Sequence, residues 1–172
     1  SPQVLEQFKS GETQNMQAYE YYLKGMFFMN SRYLKTLEED DFQQSVVMLE
    51  RALELDPSFV KAYTGLVWVY TSHLMYTGNQ ADLKKVLKLS QKLEEISPDS
   101  ARALFILGLY YALISDFDRS FASFKKAWQL SPNDAEISYG LGFFYYRTGL
   151  YTNALRFCNK SIDFDPDMPH SY

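Results

Sequence analysis

The side chains best suited to chemistry in this sequence are two histidines, His73 and His170, and a single cysteine, Cys158. An active site needs a nucleophile beside a base, paired carboxylates in a cleft, or a set of metal ligands. The histidines lie far apart in sequence, and no phosphate loop, dinucleotide fingerprint, zinc spacing or calcium loop occurs. The sequence therefore predicts a protein that is not an enzyme and that holds no cofactor or metal.

Each of these side chains has a structural interpretation. His73 falls near the end of a predicted helix, where a solvated or packed imidazole is favoured over a catalytic one. Cys158 occupies a position that holds a large apolar side chain elsewhere in the chain, so a packing thiol is favoured over a reactive one. One thiol cannot form an internal disulfide, and cysteine usage therefore leaves the compartment open.

The composition narrows the classes of partner. The 172 residues are 47% hydrophobic and 22% charged, as in folded globular chains, and the net charge is −4. Such a surface does not attract phosphate backbones or anionic lipid, so we expect neither nucleic acid nor membrane contact. Apolar stretches fall short of the roughly 20 residues that span a bilayer. The chain opens with Ser1, which suggests a piece of a longer protein; the cytoplasm is favoured, and the periplasm stays open for a membrane-anchored parent.

A recurring proline is the strongest signal in the sequence. It ends four short segments of similar sequence, at Pro57, Pro98, Pro132 and Pro166. The successive spacings are 98 − 57 = 41, 132 − 98 = 34 and 166 − 132 = 34. Counting from the first three prolines, leucine recurs nine residues later and tyrosine thirteen residues later. The leucines are Leu66, Leu107 and Leu141, and the tyrosines are Tyr70, Tyr111 and Tyr145.

The chain resembles the tetratricopeptide repeat family, whose period of about 34 residues equals the last two spacings. Two copies of the family motif carry the resemblance: Leu107-Gly108…Tyr111…Phe124…Ala127…Pro132 and Leu141-Gly142…Tyr145…Ala154…Pro166. It implies an all-α, right-handed superhelical solenoid of antiparallel helix pairs. We expect about four repeats, at residues 15–57, 58–98, 99–132 and 133–166. Residues 1–14 would be a linker or lead-in, and residues 167–172 the start of a truncated further helix.

The repeat makes several local predictions. Ser100 and Asp134 stand where a helix N-cap is wanted, and the acidic run Glu38 to Asp41 marks another helix start. The surplus spacing of the second repeat, 41 − 34 = 7, equals about two helical turns. We therefore expect a long first helix from Val60 to Tyr76 and a turn at Gly78-Asn79. The register of the first repeat stays open, since the spacing from Gly25 to its proline is 57 − 25 = 32, where 24 would be regular.

Packing predictions concern the second helix of each pair. Side chains at helical spacing predict one seam-forming face in the third repeat and an equivalent face in the fourth. These faces are Phe117, Phe121, Phe124 and Trp128, and Tyr151, Leu155, Cys158 and Ile162. Gly108 and Gly142 are expected to let the two helices of their pairs approach closely.

The family's geometry also predicts a partner-binding groove on the first helices. Positions seven, eleven, fourteen and fifteen past each proline point into it. The predicted groove residues are Thr64, Trp68, Phe105, Leu109, Tyr139, Phe143, Tyr146 and Arg147. Some members of the family hold the terminal carboxylate of a peptide with Lys and Asn at these positions, an arrangement called a carboxylate clamp. This chain has neither residue type among its predicted groove residues. For Phe105, Leu109 and Phe143, packing on a neighbouring helix is an equal alternative, and Trp68 and Tyr139 are favoured as exposed anchors.

The preferred function is a protein–protein interaction scaffold that accepts a peptide or a partner domain, with its oligomeric state open. An alternative is a sensory or regulatory segment of a bacterial signalling protein. The runs Gln17 to Gly25, Leu49 to Pro57 and Ala62 to Leu66 are similar to repeats that follow cyclase, kinase or winged-helix domains. A nucleic-acid-binding repeat is disfavoured because the lysines are expected on second helices, outside the groove. These are Lys84, Lys85, Lys88, Lys125 and Lys126.

Overall fold

A computed structural model describes residues 13–98 and 100–166, and the regular elements in these ranges are all helical. The first described elements are α1 (Met16–Phe27), a π-helical segment (Phe28–Tyr33) and α2 (Leu34–Thr36). They are followed by α3 (Glu39–Leu55), α4 (Val60–Thr77), α5 (Ala81–Ile96), α6 (Ala101–Leu113), α7 (Phe117–Leu130), α8 (Ala135–Arg147) and α9 (Tyr151–Phe164). The predicted all-α repeat fold is confirmed. Among the described residues, no helix is both long enough and apolar enough to cross a bilayer.

The helices pack in sequential pairs: α1 with α3, α4 with α5, α6 with α7, and α8 with α9. The chain divides into two compact bodies, an N-terminal body (Ser1–Ile96) and a C-terminal body (Ser97–Tyr172). In the N-terminal body α3 also packs against α4, and in the C-terminal body α7 also packs against α8. Each body is therefore built from two successive pairs.

The helix starts follow the capping residues. Asp134 accepts a hydrogen bond from the Ile137 amide at 3.0 Å, and Ser100 accepts one from the Ala103 amide at 3.4 Å. Both predicted N-caps are confirmed. The acidic run opens α3, where carboxylates face the positive end of the helix dipole. Helix α4 ends at Thr77, one residue beyond the prediction, because Gly78 adopts a left-handed conformation with φ of 72°.

The long second repeat is explained by longer helices. Helices α4 and α5 have 18 and 16 residues, whereas α6 and α7 have 13 and 14. The differences, 5 and 2, add up to the surplus of seven in proline spacing. The predicted lengthening is confirmed, and it is shared by both helices of the pair. Neither addition is a whole number of turns. The extra residues lie at the turn-proximal ends of α4 and α5, so positions counted from Pro57 and Pro98 keep their register.

The structure resolves the register of the first pair. The Ser45 hydroxyl donates to the Gly25 carbonyl at 2.9 Å, and the Ser120 hydroxyl donates to the Gly108 carbonyl at the same distance. Gly25 is thus the equivalent of Gly108. The first helix then continues through the π-helical segment to Thr36, eleven residues past Gly25, while α6 stops five residues past Gly108. The surplus therefore lies beside the turn that joins the two helices.

Three pairs share one close contact between their helices. A Cβ added to Gly108 would lie 2.6 Å from the Phe124 ring, and a Cβ on Gly25 would lie 2.6 Å from Leu49. On Gly142 it would lie 2.7 Å from the sulfur of Cys158. The glycines therefore make room for a larger side chain of the second helix, as expected for Gly108 and Gly142. In the α4–α5 pair the sizes are exchanged by register, with Val67 at the glycine position and Ser90 opposite it, both fully buried.

Aromatic rings join successive pairs within each body. The Phe144 ring lies 5.4 Å from that of Phe121 and 6.3 Å from that of Phe117, so the predicted seam on α7 is confirmed. The prediction of an equivalent covered face on α9 is wrong for Tyr151 and Leu155. They are 63% and 66% exposed, since in the described part of the chain no helix packs over them as α8 packs over α7.

Candidate partner-binding site

The predicted groove residues of the N-terminal body lie on α4. Thr64 is half-buried, and its hydroxyl donates to the Lys61 carbonyl at 2.9 Å. Trp68 is also half-buried, and its indole nitrogen lies 3.4 Å from the side-chain oxygen of Asn30 in the π-helical segment. The side of α4 that carries Trp68 therefore lies next to the π-helical segment of the first pair.

Asn30 is a neighbour of the candidate site that the sequence analysis missed. Its position follows once Gly25 is aligned with Gly108, because groove positions of α6 lie one and five residues past that glycine. The matching residues past Gly25 are Met26 and Asn30. Gly25 was the available signal, and its irregular distance to Pro57 concealed it.

Phe105 is placed differently from an exposed groove residue. It is 7% exposed, and its ring lies 5.9 Å from the Phe124 ring. A Cβ on Gly140 would lie 2.5 Å from Phe105, so the glycine leaves space that the ring fills. Phe105 thus joins α6, α7 and α8 in the core and offers little area to a partner. Leu109, one turn further along α6, is half-buried.

The remaining predicted residues lie on α8. Tyr139 is half-buried, and burial raises the pKa of its phenol. Phe143 is half-buried, whereas Tyr146 is 62% exposed and Arg147 is exposed. The Arg147 guanidinium lies 5.8 Å from the centre of the Phe143 ring. We call Phe143, Tyr146 and Arg147 the α8 surface.

The electrostatics of the α8 surface are simple. A guanidinium over a ring is attracted by the negative face of the π system, and a cation in the last turn of a helix interacts favourably with the dipole. Arg147 is therefore held against Phe143 without a carboxylate partner in the described ion pairs. The surface offers two aromatic rings and one positive charge.

The other chemically capable side chains lie away from this surface. His73 is 4% exposed and packed, as predicted, while His170 lies outside the described residues. Cys158 is half-buried, and burial raises the pKa of its thiol, which disfavours the reactive thiolate. In the described ranges, no group of three or more His, Cys, Asp or Glu side chains is arranged so that it could hold a metal ion.

The basic residues singled out from the sequence lie on second helices. Three exposed lysines lie on α5 and two on α7: Lys84, Lys85, Lys88, Lys125 and Lys126. The side chains at groove positions of α6 and α8 are mostly apolar or aromatic instead.

Sequential antiparallel pairs, glycines beneath bulky side chains and a partly exposed face on the first helices define a helical repeat protein of the kind that binds other proteins. Models of the tetratricopeptide repeat match residues 80–135 and 115–171, which together cover more than half of the chain. The chain belongs to the tetratricopeptide repeat family, and its general role is that of a protein–protein interaction scaffold.

Several curated proteins are similar in sequence. The transcriptional regulator HilA of Salmonella typhimurium is 27% identical over 126 residues, which are 72% of this chain and 23% of HilA. Anaphase-promoting complex subunit 3 of Schizosaccharomyces pombe is 23% identical over 125 residues, 73% of this chain and 18% of that protein. The repeat protein YpiA of Bacillus subtilis is 23% identical over 147 residues, 86% of this chain and 33% of YpiA. The chain thus spans about a third or less of each relative.

Solved structures show the same fold at low sequence identity. A thermophilic tetratricopeptide protein of Thermus thermophilus has a TM-score of 0.70 at 19% identity, covering 98% of this chain and 82% of that one. PilW, a type IV pilus biogenesis factor, has a TM-score of 0.62 at 19% identity, covering 91% of this chain and 66% of that one. These similarities establish the fold alone.

Proposed function

We propose that the chain is a non-catalytic scaffold that binds a peptide or partner domain along its first helices, with the α8 surface as the main contact. The observation that carries this proposal is the exposure of Tyr146 and Arg147 beside the half-buried ring of Phe143. Tyr and Arg are enriched among binding hot spots, and here both lie exposed on one helix beside a third apolar ring.

The chemistry of the surface indicates the chemistry of the partner. The rings of Phe143 and Tyr146 would pack against apolar side chains of an extended or helical segment. Arg147 would pair with one carboxylate beside those side chains, since its fork of N–H groups matches a carboxylate. The terminal-carboxylate clamp is not part of this proposal, because its Lys and Asn are missing from the groove positions.

A binding experiment tests the α8 surface. Peptides would be selected on the wild-type chain from a displayed random library, and their dissociation constants measured by fluorescence polarisation. The double variant Phe143→Ala, Tyr146→Ala should weaken binding by about 30-fold or more, which corresponds to the roughly 2 kcal/mol of a hot spot.

Leu155→Ala is the matched control. Leu155 is as exposed as Tyr146 but lies on α9, a second helix, so its loss should leave affinity unchanged. Circular dichroism would establish that the variants keep their helicity. Equal affinity of the double variant and the wild type would refute the α8 surface as the binding site, whatever the affinity of the control.

The similarity to HilA supports a second candidate function. HilA is a transcriptional regulator, and 126 of its residues align with this chain. This similarity supports a regulatory segment that acts on an output domain elsewhere in a larger protein. The reading frame on either side of this segment in its genome tests the idea. An adjoining DNA-binding, cyclase or kinase domain is expected, and a frame that encodes further helical repeats alone would contradict it.

A further inference from the structure

The ring of His73 lies between two carboxylates. Its Nδ1 is 2.6 Å from an oxygen of Asp82, and its Nε2 is 3.1 Å from an oxygen of Glu39. A neutral imidazole can donate from one nitrogen only, whereas an imidazolium donates from both. Both contacts are therefore hydrogen bonds only when His73 carries its second proton.

The surroundings of the ring act on a cation in opposite directions, since a π face attracts it and burial disfavours it. Phe42 is stacked on His73 with centroids 3.9 Å apart and an angle of 13° between the planes, which places a π face against the imidazole. The side chains of His73 and Asp82 are almost fully buried. A buried charge is tolerated when it is paired and hydrogen-bonded, and here the partners lie on two sides.

Tyr33 of the π-helical segment lies beside His73. Its ring centroid lies 6.1 Å from that of His73, and its buried hydroxyl has no hydrogen-bond partner among the described residues. Burial raises the pKa of Tyr33, and the negative charges of Glu39 and Asp82 raise it further. The pKa of Glu39 is lowered by hydrogen bonds from Gln43 and then from His73, which keeps its carboxylate ionised.

Other charged and titratable groups complete the picture. Arg32 of the π-helical segment pairs with Asp41 of α3 at 2.7 Å, so this carboxylate has its own cation. Tyr76 of α4 contacts the Tyr33 ring, with centroids 6.5 Å apart. The pKa of Tyr70 of α4 is raised to about 12 by burial and by the charges of Glu50 and Asp82. Among the described groups, His73 therefore faces both Glu39 and Asp82.

We call Tyr33, Glu39, His73 and Asp82 the His73 cluster. They come from the π-helical segment, α3, α4 and α5, and all four lie in the extra length of the first two helix pairs. For example, the spacing from Glu39 to its proline is 57 − 39 = 18, whereas the spacing from the start of α7 to its own proline is 132 − 117 = 15. The cluster therefore joins the ends of the two long pairs.

We propose that the His73 cluster is a pH-sensitive clamp: protonated His73 ties the turn-proximal ends of α3, α4 and α5 together, and loss of its proton loosens them. The clamp stabilises the fold where imidazole is protonated and both carboxylates are ionised. That stability is lost as the pH rises through the imidazole titration, and again as the pH falls through the carboxylate titration.

Urea unfolding of the full chain between about pH 6 and about pH 8 tests the clamp. The wild-type unfolding constant should increase with pH, by at most about tenfold per pH unit for one proton. His73→Gln, which can bond one carboxylate but does not titrate, should flatten this dependence. His170→Gln removes the other imidazole and should behave as the wild type. Equal pH slopes for the wild type and His73→Gln would overturn the proposal.

A second measurement decides the matter if His73→Gln does not fold. Nitrogen-15 chemical shifts of the imidazole in His170→Gln report which ring nitrogens carry protons. At about pH 6, two protonated nitrogens are expected for His73 in the folded chain. A neutral tautomer with one bare nitrogen at that pH would refute the clamp.

Discussion

Single residues in the turns of the C-terminal body show how a repeat tolerates local strain. Ser115 and Gly149 occupy the same position relative to Pro132 and Pro166, since 132 − 115 and 166 − 149 are equal. Both are in the left-handed region, with φ of 62° and 77°. This conformation costs an L residue roughly 1 kcal/mol, which glycine avoids. Ser115 therefore holds a conformation that its equivalent reaches without strain.

Exchanging the two residue types gives opposite predictions. Ser115→Gly should raise the free energy of unfolding by about 0.5–1 kcal/mol, reduced from the full strain by the greater flexibility of glycine in the unfolded chain. Gly149→Ser should lower it by a similar amount, because a Cβ at Gly149 meets no neighbour and only the conformation is penalised. Urea unfolding of both variants measures this, and a shift in the same direction for both would contradict it.

The candidate site shows what sequence reasoning reaches at this scale. Counting from prolines identified Phe143, Tyr146 and Arg147, because the repeat fixes which way each position of a helix faces. The count left exposure and packing as equal alternatives for Phe105, since the outcome depends on a neighbouring glycine, Gly140, and on the rotamer that fills the space. Asn30 was missed because it lies in a π-helical segment that no periodic pattern of the sequence signals.

At the scale of the helix pair, side-chain size is traded between the two helices. Gly108 accepts the Phe124 ring, whereas Val67 at the equivalent position stands opposite Ser90 by register. Both Val67 and Ser90 are fully buried, so in this pair the first helix supplies the larger side chain. A smaller and a larger side chain therefore meet in each pair, but the helix that supplies the larger one differs.

A double-mutant cycle tests this exchange. Ser90→Leu alone should destabilise the chain by about 1–3 kcal/mol through overpacking, and Val67→Gly alone through a cavity and a flexible glycine. Combined, they recreate the Gly25–Leu49 arrangement. The double variant should therefore lose less free energy of unfolding than the two single variants lose in total, by about 1 kcal/mol or more.

Additive losses would show that the two positions do not share one space. The control cycle pairs Ser90→Leu with Gly108→Ala, whose packing partner is Phe124 of the C-terminal body, and additivity is expected there.

Helix lengths could be predicted where two prolines bracket a pair. The spacing between Pro57 and Pro98 yielded the length of α4 to within one residue, although the surplus is divided between α4 and α5 and is not two whole turns added to one helix. In the first pair no earlier proline of the series exists to measure from, and part of the surplus is absorbed by the π-helical segment. Periodicity therefore fixed three pairs and left the first open.

At the scale of the whole molecule, charge argues against nucleic acid as a partner. The 21 acidic side chains outnumber the 17 basic ones, and the described lysine pairs lie on second helices. Titration with single-stranded RNA at low salt should therefore show no saturation below about 10⁻⁴ M, the weak end of non-specific binding. A peptide selected on the chain serves as the positive control, and tight RNA binding would overturn this prediction.

The extra length of the first two pairs limits their modularity. Repeat proteins are commonly recombined one hairpin at a time, because each repeat contacts only its neighbours through similar surfaces. Here the first helices of these two pairs extend about 8 Å beyond regular ones, and the second helices α3 and α5 extend about 3–5 Å, at about 1.5 Å per residue. Glu39 comes from one hairpin, and His73 and Asp82 come from the other. Grafting a regular repeat in place of either hairpin would break the contact between Glu39 and His73, so evolution or an engineer must move the two hairpins as one block.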